Sequence, residues 1–151
     1  MQSLTDAVVA GARDDAIEGV EVVVRPALEA TADDVLAAAG YVLGTPANFG
    51  YMSGALKHFF DSTFLQVGGA LSSTGAAEES SGGTSGRPFG LYVHGRYDTA
   101  GAVRSVLSIV TALKWRQSSD VLEVLGEVKD THRGAGYELG ATLSALLTSD
   151  L

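Results

Sequence analysis

The chain has 151 residues, 46% of them hydrophobic and 19% charged, with a formal net charge of −8 and no cysteine. That is the composition of a globular domain with a sizeable core. It excludes disulfides, thiolate catalysis and Cys-ligated metals, and the acidic balance argues against nucleic acid or an anionic membrane as the main partner. No apolar run reaches the roughly 18 residues of a membrane span, and the start, "MQSLTDAVVAGARDD", has no secretory-signal pattern, so a cytoplasmic home is the simplest expectation.

Leu4, Val8 and Ala12 recur at helical spacing, which places a first helix almost at Met1. "GVEVVVRP" (Gly19–Pro26) is a valine-rich run stopped by proline and reads as a strand. "ATADDVLAAA" (Ala30–Ala39) reads as a short helix capped by Thr31, and "YVLGTP" (Tyr41–Pro46) as a second strand. From Ser53, Leu56, Phe59, Phe60, Phe64 and Val67 mark a helix face. Residues 68–86 follow, in which 13 of 19 are Gly, Ser or Thr, the composition of a flexible loop. "RPFGLYVHG" (Arg87–Gly95) is a third strand, and Val103, Val106, Leu107 and Val110 mark the next helix. Trp115–Val128 holds a fourth strand, broken near Ser119–Asp120, and a last helix carries Tyr137, Leu139, Leu143, Leu146 and Leu147. Alternating strands and helices predict one α/β domain over residues 1–151, a parallel sheet covered on both faces.

In such sheets ligands bind beyond the carboxyl ends of the strands. Two segments have that address. "GTPANFGYMSG" (Gly44–Gly54) offers Gly44 and Gly50 for close backbone approach and Pro46 for stiffness. It adds Asn48 as donor and acceptor, Phe49 and Tyr51 as flat walls, and Ser53 as a helix cap. "HGRYDTAG" (His94–Gly101) adds a glycine, Arg96, Tyr97, and Asp98 or Thr99 as the next cap. Neither segment holds a nucleophile–base pair, paired carboxylates or a metal-ligand spacing. Backbone, aromatics and one amide suit a planar aromatic cofactor that carries the hard chemistry itself. His58 and His132 read as surface positions, Trp115 as packing, and Lys57/Asp61 as a helical i,i+4 contact.

"GTPANFGYMSGALKHFFD", followed by "RPFGLYVHGRYDTAGAV", resembles the flavin-binding segments of the flavodoxin-like NAD(P)H-dependent FMN reductases and WrbA-like quinone oxidoreductases. The resemblance implies a flavodoxin-like three-layer α/β/α fold of strand order 2-1-3-4-5 with bound FMN. It implies that Thr45, Pro46, Ala47, Asn48, Phe49 and Gly50 wrap the flavin ring and ribityl chain. Gly95, Arg96, Tyr97 and Asp98 would border its other side, and His94 ends a strand beside it. Tyr51 and Tyr97 read as stacking on flavin or on a second substrate. Arg96 reads as a counter-charge for reduced flavin or a nicotinamide phosphate, or else as a surface arginine. The implied activity is that of an NAD(P)H-dependent FMN-containing reductase, a homo-oligomer (dimer or tetramer), that reduces a quinone or another small acceptor. The family's first strand and Ser/Thr-rich phosphate loop have no counterpart ahead of "MQSLTDAVV". We expect the native chain to begin upstream of Met1. Two other functions fit the same residues: a flavodoxin-type electron carrier, and a flavin-free scaffold or partner-binding module.

Overall fold

The structure, a computed structural model, describes residues 1–71, 73–74, 77–78 and 83–149. Its sheet is organised around β5 (Pro88–Gly95), in which every residue from Pro88 to Val93 is buried. A strand covered by helices on both faces needs such an unbroken run. β1 (Tyr41–Asn48) runs parallel to β5, with Tyr41 opposite Phe89 and Pro46 opposite His94. β2 (Tyr51–Met52) folds back antiparallel on the end of β1. Away from the main sheet, β3 (Ala70–Leu71) and β4 (Ala77–Glu78) form a two-stranded ladder. On the far side of β5 lie β6 (Arg116–Gln117) and β7 (Leu122–Leu125), both parallel to it. They are one strand track interrupted where expected, and Ser118 bridges the gap by donating its N–H and Oγ to the Phe89 carbonyl, each at 2.9 Å.

Helices α1 (Gln2–Ala12), α2 (Ala32–Ala37), α3 (Gly54–Thr63), α4 (Ala100–Ala112) and α5 (Asp130–Ser149) complete three layers. Val35, Leu56, Phe59, Phe60, Val106 and Val110 bury one face of the sheet beneath α2, α3 and α4. Leu4, Val8, Tyr92, Val124 and Leu139 bury the other beneath α1 and α5. The start signals work as their chemistry requires. Thr31 accepts from the Asp34 N–H while the Asp34 carboxylate accepts from the Thr31 N–H, a capping box that opens α2. Ser53 Oγ accepts from Leu56 N–H at 3.1 Å and opens α3. Arg87 donates to the Leu36 and Ala38 carbonyls at 2.9 and 2.8 Å and so closes α2 at its carboxyl end. α5 begins earlier than its apolar periodicity suggests, because the polar stretch around His132 is its first turn, with His132 Nδ1 accepting from Lys129 N–H at 2.9 Å.

Two sequence expectations are corrected. Gly19–Pro26 is not a strand: the run is irregular, and Val23 and Val24 stay 54% and 47% exposed. β propensity expresses pairing with neighbours more than backbone preference, and among the described residues no strand lies beside this run. Gly44 is not a turn or ligand-approach glycine. It lies inside β1, and a Cβ there would come within 2.1 Å of the Tyr92 ring. That ring reaches on to α1, where its hydroxyl lies 2.9 Å from the Thr5 hydroxyl, and its burial raises the phenol pKa. The flexibility expected of residues 68–86 falls partly on residues 72, 75–76 and 79–82, which lie outside the described residues. At the end of that stretch Thr84 is buried, donating to the Val67 carbonyl at 2.5 Å and accepting from Trp115 Nε1 at 2.8 Å. Trp115 in turn stacks on Tyr41 at 4.1 Å, the packing role expected of it.

α1 and α5 run side by side in the same direction: Leu4 packs on Gly136, Val8 on Gly140, and Ser144 Oγ donates to the Ala12 carbonyl at 2.9 Å. The contact is backbone to backbone, since a Cβ on Gly140 would fall 2.0 Å from the Val8 carbonyl oxygen. Overpacking of this kind costs about 1–3 kcal/mol, more than the roughly 1 kcal/mol that alanine gains over glycine in a helix. We therefore expect Gly140→Ala to lower the unfolding free energy in urea by about 1–2 kcal/mol. Gly134→Ala, where an added Cβ meets nothing within 4 Å, is expected to raise it. Equal effects at both positions would show that the helix seam is not tight.

Candidate functional site

Because β1 and β5 are parallel and pair as far as Pro46 opposite His94, the segments that follow leave the sheet at the same edge. After β1 the chain forms a tight hairpin. Ala47 pairs with Met52 and Asn48 with Tyr51, leaving Phe49 and Gly50 as the two turn residues. Their φ angles are +51° and +74°. Two positive φ angles in a two-residue connection are the geometry of a type I′ turn, whose twist suits the strands it joins. Glycine adopts this freely, whereas a side chain such as Phe49 is strained there by roughly 1 kcal/mol. Phe49 gains no packing in return, for its ring is wholly exposed.

The base of the hairpin is held by Thr45. Its hydroxyl is fully buried, accepts from Ser53 N–H at 2.9 Å and donates to the Pro46 carbonyl at 2.8 Å. Of the first group of predicted site residues, Thr45 therefore turns its side chain inward. Pro46, Ala47 and Gly50 are half-buried, while Asn48, Phe49 and Tyr51 face solvent.

The segment after β5 is fixed from the opposite side. His94 Nε2 lies 2.6 Å from the Gly126 carbonyl, which only accepts, so Nε2 carries the proton and Nδ1 is left as the ring's other polar atom. Gly126 N–H donates to the Gly95 carbonyl at 2.8 Å. Asp98 accepts from Ala100 N–H at 2.9 Å at the start of α4, and Thr99 donates to Glu123 at 2.8 Å. Arg96 and Tyr97 are exposed, Tyr97 by 87%.

The two segments meet through Gly101. A Cβ there would lie 2.1 Å from the Gly50 carbonyl oxygen, so only a glycine in the first turn of α4 lets the hairpin tip rest on it. The structure thus brings Asn48–Tyr51 and Gly95–Asp98 to one edge, with Leu125, 55% exposed, at the end of the neighbouring strand. α1 starts at this edge too, since it runs parallel to α5, and α5 starts just after β7. Gly101, Leu125 and Gly126 were not assigned roles by sequence reasoning. The glycine ending "LEVLG" is the available signal for the last two, and nothing local marks Gly101 within "HGRYDTAG".

The edge is equipped to hold a flat heterocycle: exposed rings at Phe49, Tyr51 and Tyr97, an exposed amide at Asn48 and a guanidinium at Arg96. Among the described residues no three His, Asp or Glu side chains gather as a metal site requires, and no helix is long and apolar enough to cross a membrane.

The family described as NADPH-dependent FMN reductase matches residues 4–124. A flavodoxin of Aquifex aeolicus (strain VF5) is 38% identical over 86 residues, which are 56% of this chain and 45% of that protein, so the chain spans less than half the length of this relative. Among solved structures, a flavodoxin from the domain Archaea superposes with a TM-score of 0.76 at 13% identity, over 97% of this chain and 90% of that one. A flavodoxin, WrbA-like protein from Agrobacterium tumefaciens gives 0.67 at 14% identity, over 98% and 89%. The structural likenesses establish a flavodoxin-like fold, and the match across residues 4–124 makes the chain a member of the NADPH-dependent FMN reductase family.

Proposed function

We propose that the chain binds FMN with its ring over the edge formed by Asn48–Tyr51 and Gly95–Asp98, and passes electrons from NAD(P)H to a quinone or another small acceptor. The observation that carries the reading is Phe49, a strained and wholly exposed ring on a turn seated against α4. A side chain kept in that state has its use outside the chain's own core. Membership of the family supports the choice of flavin.

FMN when bound supplies the hydride and electron chemistry. The chain's residues bind and orient. Phe49 and Tyr97 present flat apolar surface and exclude water from it. Asn48 offers both donor and acceptor to a heterocycle edge. Arg96 places positive charge beside the site, suited to reduced flavin or to the phosphates of a dinucleotide. His94, locked through Nε2, keeps a fixed orientation at the strand end. The fit is good for the ring. For the phosphate, residues 1–151 offer the amino-terminal turn of α1, which has no side-chain cap. The same reading places the protein in the cytoplasm, in keeping with a chain free of cysteine, and as a homo-oligomer.

The test is an anaerobic titration of the purified chain with FMN and riboflavin, followed by NADPH or NADH and then benzoquinone. We expect flavin absorbance to bleach with the nicotinamide and recover with the quinone. We also expect the two flavins to bind within about tenfold of each other. A complete phosphate site, at about 1.5–3 kcal/mol for each charge-assisted hydrogen bond, would separate them by more than about 100-fold. Flavin uptake without NAD(P)H oxidation would point instead to an electron carrier, a reading that the flavodoxin relative and the net charge of −8 support. No uptake of either flavin would contradict flavin binding and favour a partner-binding module.

Phe49→Asn separates ligand binding from stability. Asn-Gly is the preferred pair for a type I′ turn, so the variant should be more stable by up to about 1 kcal/mol in thermal melts. It should also bind flavin at least about tenfold more weakly, the loss of one ring contact of roughly 1.5 kcal/mol. A variant that melts lower, or binds as tightly, would remove Phe49 from the site.

A further inference from the structure

α4 buries Ala102, Val106 and Val110 against the sheet. Its flank beside β7 is left open as a groove of about 740 Å³, within the range of small-molecule sites. Val103 and Leu107, both half-buried, give the groove an aliphatic surface. Arg104, Ser108 and Thr111 line it as exposed side chains of α4, and Glu123 lines it from β7. From Ala100 to Thr111 the groove follows the helix for about 16 Å at helical rise.

Two charges mark this groove. Arg104 has no carboxylate partner among the described residues, whereas Arg25, Lys57 and Arg133 each have one. In a chain with 18 acidic and 10 basic side chains, a cation left open over an aliphatic surface suits an anionic ligand. Glu123 is held in place, since one of its oxygens accepts from Thr99 Oγ1 at 2.8 Å. The rest of its acceptor capacity is free to receive an amine or a hydroxyl.

We propose that this groove is the subsite for the adenosine end of NADPH. The purine lies on Val103 and Leu107, Glu123 accepts from its amino group or from a ribose hydroxyl, and Arg104 pairs with the 2′-phosphate.

The inference rests on the reading that a nicotinamide dinucleotide reduces the flavin, and it adds where the far end of that molecule goes. Position favours it. The groove opens at Ala100, two residues past the segment Gly95–Asp98. A dinucleotide whose nicotinamide meets the flavin over that segment enters the groove as it extends along α4. Chemistry favours the phosphorylated form. A guanidinium binds phosphate through two parallel hydrogen bonds, and NADH offers Arg104 no such group.

The isotopically labelled chain is titrated with adenosine 2′,5′-bisphosphate and, separately, with 5′-AMP, while nitrogen–proton correlation spectra are recorded. The largest shifts should fall on the amides of Ala100–Thr111 and Glu123. The bisphosphate should bind at least about tenfold more tightly, the worth of one charge-assisted hydrogen bond. Arg104→Gln keeps a helix-compatible side chain at an exposed position. It should bring the two nucleotides within about twofold of each other and leave 5′-AMP binding unchanged. In the FMN-loaded protein the same variant should raise KM for NADPH at least about tenfold, with kcat and KM for NADH unchanged. Shifts centred away from α4, or a bisphosphate preference that survives Arg104→Gln, would overturn the proposal. Shifts along α4 in a chain that takes up no flavin would keep the groove as a nucleotide site and remove the flavin, so the two readings fail separately.

Discussion

The parallel pairing of β1 with β5 sets everything else. It holds Pro46 opposite His94, and so fixes where the next residues of both strands leave the sheet. The hairpin at Phe49–Gly50 and the segment Gly95–Asp98 are neighbours only because these two strands end together. The helices follow from the same sheet. The unbroken burial of β5 demands cover on both faces, which α3 and α4 supply on one side and α1 and α5 on the other. An antiparallel pairing would send the two segments to opposite ends and leave no site.

Close approach of backbones tightens this frame at two places. At the seam of α1 and α5, Gly140 admits the Val8 carbonyl and keeps the two helices parallel, so both begin at the edge where these two segments lie. At the site itself, Gly101 admits the Gly50 carbonyl and seats the turn on α4. The strain at Phe49 is sustained because Thr45, bonded to Ser53, clamps the base of the hairpin and the α4 contact holds its tip. In the proposed site, a pre-set turn of this kind would offer a ring a surface already in place.

Much of this was legible in the sequence where local chemistry decides the outcome. Thr31 and Ser53 cap helices because a side-chain oxygen satisfies a free N–H. The strand through Pro88–Gly95 announced itself as a continuous apolar run, and the break near Ser119 as a polar interruption. The two segments proposed to hold the ligand stand out by glycine, amide and aromatic content beside strand ends. What escaped depends on partners distant in the chain. Val20–Val24 has the composition of a strand but, among the described residues, no strand to pair with. Gly44 looked like part of the loop because nothing local shows that Tyr92 occupies the space of its side chain. The hairpin is hidden in the sequence, since Phe at the first turn position conceals an I′ turn that Asn would have advertised.

The central claim is that the ring of a flavin lies across the edge shared by these two segments. Its most direct test is a nitrogen–proton correlation spectrum of the isotopically labelled chain recorded while FMN is added. The account predicts the largest shifts at the amides of Asn48–Tyr51 and Gly95–Thr99, with the outer face of α4 around Leu107 and Thr111 unmoved. Shifts centred elsewhere, or none at saturating flavin, would contradict it.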